Sequence, residues 1–449
     1  MIPEEWSRGE AAVVGLARSG VAASRLLRRI GVAVYASDAK ATPALETAAT
    51  MLRADGCRVE LGRHDLARIA KASVCVLSPG VPPDAPPVVA AKQARVPVVA
   101  ELDLAARCLQ RTRLIVTTGT KGKSSTASMI GAALAAAGLG PAEAFGNIGT
   151  SLAEVALQPA QPAWLSVEAS SFQLHDAPAL DPAVGVLTNL SSDHLDRYPD
   201  VASYYADKKL LFRNAHADSR WVLNGDQPEV GALAAGAVGA HERFSLDVHL
   251  ADAWYDRTGG WLILRGMPLM RRADLALLGD HNVANALAAA LAVPQETDRD
   301  RIAAALKGFH ALHHRLEPVR EAGGVLWVND SKATTVSSAL AAVRALDRPV
   351  VLLLGGRDKG GDFTELVPAL SGARGVIAYG EAGERIAREL KGVAGVTREG
   401  GDFAKVIARA RQTARSGDAV LLSPACSSFD MFDNAEQRGE EFTRLVKAL

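Results

Sequence analysis

The stretch 114–134, LIVTTGTKGKSSTASMIGAAL, passes from an apolar β-branched run through a glycine-containing loop into an Ala-rich helical pattern. A strand that enters a helix through such a loop builds an anion site. The free N–H groups and the dipole of the helix start face the loop, and glycine lets the backbone approach a phosphate. Lys123 would reach the β- and γ-phosphates and the Ser124 hydroxyl a magnesium ion. The spacing departs from GxxxxGK[ST], because Thr117 stands where the first glycine belongs. The loop is therefore a tighter variant running through Gly119, Thr120, Lys121, Gly122, Lys123, Ser124 and Ser125. A ligand-free glycine turn is the plain alternative, and the strand pattern before it and helix pattern after it weigh against that.

Five further apolar runs end in the same way. WLSVEASS (164–171), VGVLTNLSSDH (184–194), VLWVNDSKATT (325–335), VVLLLGGRDKG (350–360) and AVLLSPACSS (419–428) each close on polar or charged residues. Short strands alternating with helical stretches predict α/β domains with largely parallel sheets. In such sheets ligands bind beyond the carboxyl ends of the strands. One polar strand end is an ordinary solvated turn; six suggest that several strands deliver chemistry to one crevice.

A chain of 449 residues is too long for one core and predicts about three domains. The breaks are expected near residues 101 and 311, giving 1–101, 102–311 and 312–449. Lys+Arg and Asp+Glu are equal at 50 each, which removes the electrostatic footprint of a nucleic-acid binder. The four cysteines show no ligand spacing, which fits a reducing cytoplasm. The polar start MIPEEWSRGE lacks signal-peptide order and no apolar run of membrane-spanning length occurs, so no membrane insertion is expected.

Glu168, ending WLSVE, is a natural magnesium carboxylate, since this ion takes oxygen ligands. His194 clusters with Asp193 and Asp196 after a strand, as either a structural histidine or a ligand. Asn147, in FGNIG, is either a turn former or an amide for a sugar or phosphate. Asn282 and Asn285 share a helical face that meets either solvent, the ordinary reading, or a base. Lys208 and Lys209 read as an exposed helical pair. GLARSG (15–20), with Asp38 ending the next strand, is similar to a dinucleotide fingerprint. Ala17 replaces its central glycine, which weakens a nicotinamide reading and leaves a sugar nucleotide open.

Taken in order, GTKGKSS, FGNIGTS, SVEASSFQL, TNLSSDHLDRY, HNVANALAA, HHRLE, NDSKATT, LLLGGRDKG and LLSPACSSFDMFDNAEQRGEEF resemble the Mur ligase family across essentially the whole chain. The resemblance implies an α/β, three-domain architecture. An N-terminal Rossmann-like domain binds a UDP-substrate, a central P-loop ATPase-like domain binds ATP, and a C-terminal Rossmann-like domain closes on ATP and glutamate. The pattern is most similar to members that add D-glutamate to UDP-N-acetylmuramoyl-L-alanine through an acyl phosphate in cytoplasmic peptidoglycan synthesis. L-glutamate or another acidic amino acid is the nearest alternative, and a non-ligase ATPase is a remoter one.

By the same resemblance Lys123, His194 and Lys208 are catalytic. Magnesium, as two ions, is held by Ser124, Glu168, His194 and Lys208, the last as a carbamate. Asn282, Arg315 and Asp330 join the phosphate loop in binding ATP. Arg18, Ser19, Asp38, Ser78, Pro79, Gly80 and Asn147 contact the UDP-substrate, while Lys332, Thr334, Lys359, Ser428 and Phe429 surround glutamate. The partners implied are small molecules, and the chain is expected to be monomeric. Lys121 stands where the family commonly has asparagine, which adds a cation beside the phosphates. Phe429 and Ala435 lie where the family varies, which leaves the shape of the amino-acid pocket open.

Overall fold

The computed structural model describes every residue except Met1, Asp196 and Ala394. Two compact units emerge, one built from the residues up to Asp274 and Ala284–Lys307, the other from Leu275–Val283 and Gly308–Leu449. Among the described residues the main strands form three sheets.

The first sheet holds β1 (Glu10–Val14), β2 (Ala33–Asp38), β3 (Arg58–Leu61), β4 (Val74–Leu77) and β5 (Val98–Ala100), ordered β3-β2-β1-β4-β5 and all parallel. The strand order reverses at β1, where Gly15 and Gly20 shape the turn into the helix Arg18–Arg29. Gly15 has φ +86°, and a Cβ on Gly20 would fall 1.8 Å from the Gly15 carbonyl oxygen, so neither position tolerates a side chain.

The second sheet holds β6 (Arg113–Thr118), β7 (Ala144–Gly146), β8 (Trp164–Glu168), β9 (Val184–Leu187), β10 (Arg220–Asn224), β11 (Ala240–Ser245), β12 (Ala253–Asp256), β13 (Trp261–Leu264) and β14 (Met267–Arg271), ordered β14-β13-β12-β11-β10-β9-β6-β8-β7. From β7 to β12 it is parallel, and β12 to β14 form an antiparallel edge. Strands such as β8 and β9 are buried at every position, as parallel strands covered on both faces must be. The first two sheets share one continuous core, in which Val13, Leu26 and Leu102 belong to the same cluster as Leu152, Leu165 and Trp221.

The second unit carries β15 (Glu317–Ala322), β16 (Val325–Asn329), β17 (Val350–Gly355), β18 (Gly375–Tyr379), β19 (Val396–Arg398) and β20 (Ala419–Ala425), ordered β15-β16-β20-β17-β18-β19. Only β15 runs antiparallel to its neighbour. Apolar layers cover both faces, one built around Leu352, Leu354 and Phe363, the other around Trp327, Leu353 and Phe442.

Glu101 opens the helix Glu101–Cys108 inside the shared core. Its Oε1 accepts the Ala153 N–H, and its buried Oε2 has no hydrogen-bond partner. Burial pushes its pKa up to about 7 against the Ala153 hydrogen bond. Between the ordinary glutamate value of about 4.3 and that raised value, the native state holds a proton the unfolded chain has released. Stability therefore falls as pH rises through this window, by on the order of 3 kcal/mol for this one group. Glu101→Gln should match the parent at pH 5 and exceed its denaturation midpoint at pH 8. Equal midpoints at both pH values would show that Glu101 is not the source.

Candidate active site at the phosphate loop

The segment 119–122 links β6 to the helix Lys123–Ala136, and Gly122 caps that helix in the left-handed region at φ +79°. Both loop glycines are sterically required. A Cβ on Gly119 (φ +143°) would lie 2.0 Å from Thr188 Oγ1, and one on Gly122 2.4 Å from Asn285 Oδ1. The segment after β9 clamps the loop: Asn189 Oδ1 accepts the Lys121 N–H (2.8 Å), while Thr188 Oγ1 (2.6 Å) and Asn189 Nδ2 (2.9 Å) donate to the Lys121 carbonyl.

Two ammonium groups converge on one carbonyl. Lys123 Nζ donates to the Gly119 carbonyl (3.1 Å) and to that of Thr120 (2.8 Å), and Lys208 Nζ donates to the Gly119 carbonyl at 2.7 Å. The reading of Lys208 and Lys209 as an exposed pair is corrected for Lys208, which is 1% exposed while Lys209 faces solvent. Helical periodicity separates the two neighbours by about 100°, so one turns into the core. Burial, then the Lys123 charge, holds the Lys208 ammonium well below the usual lysine range, against the pull of Asp193, Asp207 and Glu168. Burial lowers Lys121 as well, with Asp193 opposing.

Glu168 is 2% exposed, and its backbone pairs with Thr117 across β6 and β8. Asn147 Nδ2 donates to its Oε1 (2.9 Å), while the buried Oε2 has no hydrogen-bond partner. An acceptor of this kind, at the end of the strand that pairs with β6, fits a hard cation that prefers oxygen. His194 has φ +55° and packs edge-on against Phe172 and Tyr204, with ring centroids at 5.4 and 5.9 Å. Its expected neighbour Asp196 lies outside the described residues.

The reading of Asn282 and Asn285 as a solvent face is also corrected, for both are buried. Thr126 Oγ1 donates to Asn285 Oδ1 (3.2 Å) beneath the phosphate loop, and Asn282 Nδ2 donates to the Leu278 carbonyl (2.8 Å). Sequence reasoning passed over Tyr204. This fully buried residue lies one helical turn before Lys208, its ring 4.5 Å from Lys208 Nζ and its Oη 3.4 Å from Thr120 Oγ1. The i, i+4 spacing in YYADKK was the available signal.

In the first sheet, Asp38 Oδ2 accepts the Leu16 N–H (2.8 Å), and Ser78 Oγ donates to the Gly15 carbonyl (2.8 Å). Those contacts place Asp38 and the Ser78-Pro79-Gly80 turn around the Gly15 loop. Ser19 lies in the first turn of the following helix, and Arg18 extends from that helix to Glu154 (3.0 Å) and Thr150 (3.1 Å).

In the second unit, Lys332 Nζ donates to Glu436, and Lys359 Nζ donates to Thr334 Oγ1 (3.3 Å). Asp330 accepts from the Leu316 N–H and the Ser423 hydroxyl, and burial pushes its pKa up to about 7 against these two hydrogen bonds and the Arg315 charge. Arg315 and Phe429 are exposed, and Ser428 is buried. The fully buried Arg438, also unforeseen, donates to the carbonyls of Ser331 (2.9 Å) and Cys426 (3.2 Å), joining the strand ends that carry Lys332 and Ser428.

Three family models match in succession: a Mur ligase MurD-like N-terminal domain over residues 9–100, a Mur ligase middle domain over 117–293, and a Mur ligase glutamate ligase domain over 314–426. The UDP-N-acetylmuramoylalanine–D-glutamate ligase of Myxococcus xanthus is 41% identical over 97% of this chain and 98% of its own length. The chain belongs to the Mur ligase family. The enzyme of the same name from Salinibacter ruber is 39% identical over the full length of both chains. Among solved structures, a UDP-N-acetylmuramate-alanine ligase from Thermotoga maritima matches with TM-score 0.61 at 18% identity, covering 98% of this chain and 99% of that one, a likeness of fold. The α/β architecture expected from the sequence is thus the Mur ligase fold, and its family is ATP-dependent.

Gly119→Ala in this Mur ligase should weaken ATP binding more than about ten-fold, read by calorimetry, with far-UV circular dichroism unchanged. Unaltered affinity would show that the loop relaxes around the new methyl group.

Proposed function

We propose that this Mur ligase joins D-glutamate to UDP-N-acetylmuramoyl-L-alanine at the expense of ATP, as a step of peptidoglycan precursor synthesis. The observation that carries the reading is the near-complete alignment with two enzymes named for this reaction at about 40% identity. The chemistry of the phosphate loop supports it.

A carboxylate oxygen of the acceptor attacks the γ-phosphorus, the bond to the β,γ-bridging oxygen breaks, and ADP leaves. The amine of glutamate then attacks the acyl carbon and loses a proton, and the carbon–oxygen bond to phosphate breaks to give the amide and inorganic phosphate. Phosphoryl transfer depends mainly on positioning and charge neutralisation. Lys123 and the N-terminal N–H groups of its helix supply both from the protein, with Gly119, Thr120, Lys121, Gly122, Ser124 and Ser125 shaping the cradle. The buried acceptor on Glu168 and the Ser124 hydroxyl would hold magnesium, and His194 a second ion; magnesium when bound neutralises phosphate charge.

Lys208 is the residue we assign as a carbamate. A neutral amine attacks carbon dioxide, forms a carbon–nitrogen bond and releases a proton. The depressed pKa of Lys208 raises the fraction of neutral amine. The product replaces a cation facing Lys123 with an anionic oxygen ligand. We further assign Asn282, Arg315 and Asp330 to the nucleotide, and Arg18, Ser19, Asp38, Ser78, Pro79, Gly80 and Asn147 to the UDP-substrate. Lys332, Thr334, Lys359, Ser428 and Phe429 are assigned to glutamate, whose carboxylates accept hydrogen bonds from such cations and hydroxyls. On this reading residues 1–101, 102–311 and 312–449 are the UDP-substrate, ATP and glutamate domains of a cytoplasmic monomer.

Purified protein with ATP, magnesium and UDP-N-acetylmuramoyl-L-alanine should release phosphate and yield a ligated product when D-glutamate is added. Product with L-glutamate instead would keep the mechanism and change the amino-acid pocket; phosphate release without ligation would overturn the reading. Lys123→Ala should cut turnover on the order of 10²- to 10³-fold while UDP-substrate binding persists. Depleting carbon dioxide should lower activity and bicarbonate restore it, an effect Lys208→Ala should abolish. Activity indifferent to carbon dioxide would exclude the carbamate.

A further inference from the structure

A carboxylate one residue before Lys208 takes part in none of these assignments. Asp207 lies in the helix Val201–Lys209, and both of its oxygens are engaged by other segments. Tyr198 Oη donates to Oδ2 (2.8 Å), and His175 Nδ1 lies 2.8 Å from Oδ1. An ionised carboxylate only accepts, so Nδ1–H is the donor whether the imidazole holds one proton or two. His175 closes the short helix Ser171–His175, which starts three residues after Glu168. Tyr198 is bound to the turn of His194, whose carbonyl accepts the Arg197 (2.9 Å) and Tyr198 (3.0 Å) N–H groups.

Aromatic rings fill the space between these segments. Phe172 stacks on Tyr198 at 5.2 Å with planes 13° apart, and Tyr198 meets Tyr204 at 5.3 Å. The ring of His194 packs edge-on against both Phe172 and Tyr204, and the Tyr204 ring faces Lys208. Ring packing supplies contact area. Hydrogen bonds fix register, because each holds only over about a few tenths of an ångström and a narrow range of angles.

Asp207 thus joins the segment that follows Glu168, the turn of His194 and the helix of Lys208. Those three residues, with Ser124, are the ones assigned above to magnesium. We propose that Asp207 is a positioning residue for that site: by holding Tyr198 and His175 it sets the spacing of Glu168, His194 and Lys208, and with it the affinity for the metal. Its own oxygens are turned to Tyr198 and His175, so it acts through the ligands it places. Partners that orient metal ligands typically carry about 10- to 100-fold of metal affinity. The inference rests on the magnesium assignment.

Magnesium titrated by calorimetry into the full-length protein in bicarbonate buffer, without nucleotide, tests it, with the thermal midpoint recorded beside each affinity. Tyr198→Phe keeps the ring on Phe172 and removes only the hydrogen bond. It should weaken magnesium about ten-fold, the worth of one hydrogen bond to a charged group. Asp207→Ala should weaken it on the order of 10- to 100-fold, and the double variant no further, since both remove the same tie. His175→Gln, which keeps an N–H donor, should stay near the parent, and Tyr198→Phe carries the test should Asp207→Ala fail to fold. In the complete reaction the half-saturating magnesium concentration should rise in the same proportion, with kcat at saturating magnesium and KM for the UDP-substrate unchanged. A lower thermal midpoint at unchanged magnesium affinity would reduce the tie to a fold contact, and additive losses would show Tyr198 and Asp207 acting separately; either result overturns the inference and leaves the magnesium assignment standing. A parent that binds no magnesium, or whose binding survives Glu168→Gln undiminished, would overturn that assignment and the inference with it.

Discussion

Two lysine side chains, the half-buried Lys123 and the buried Lys208, donating to the Gly119 carbonyl are the interaction on which the site depends. Lys123 and Lys208 repel each other there, and burial adds the cost of withheld hydration. The arrangement persists because the surrounding structure leaves no alternative. Asn189 and Thr188 clamp the loop from β9, Asn285 fills the space a side chain on Gly122 would need, and the Tyr204 ring closes over Lys208. The carbamate proposed for Lys208 would replace one of these two positive charges with a negative one and turn the repulsion into attraction.

The scaffold explains how so many charged groups can sit at one edge without unfolding the domain. Parallel strands bury both faces, so their apolar interiors carry the stability and their carboxyl ends are left for chemistry. β6 runs into the loop 119–122 and β8 ends on Glu168, and in the second unit β16, β17 and β20 run directly into the segments carrying Lys332, Lys359 and Ser428. Arg438 gives that second cluster its rigidity by joining two of these segments through backbone carbonyls, which hold position whatever the neighbouring side chains are.

Much of this was legible in the chain itself. The run from Leu114 to Ser125 announced a strand, a glycine-containing loop and a helix, and six apolar runs closing on polar residues announced parallel strands, three of which lie in the second sheet and three in the third. Glu168 was found because it ends such a run. Lys208 was read from its own residues as exposed, because a lysine beside a lysine carries no local sign of which one turns inward. Asn285 was misread for the same reason: its partner, Thr126, is 159 residues away. Tyr204 and Arg438 were missed because an aromatic or a cation in a helix is ordinary until its long-range contacts are known.

The sequence by itself determined the fold class, the phosphate loop and the order of the family's motifs, because these depend on local periodicity and on glycine at positions that admit nothing larger. Tertiary structure alone decided which ionisable groups lose their water. Glu101, Lys208 and Asp330 resemble any other charged residue in the chain, and only packing removes them from solvent and shifts their proton affinities. Desolvation is a property of the surroundings and not of the residue, so it becomes visible only when distant segments come together.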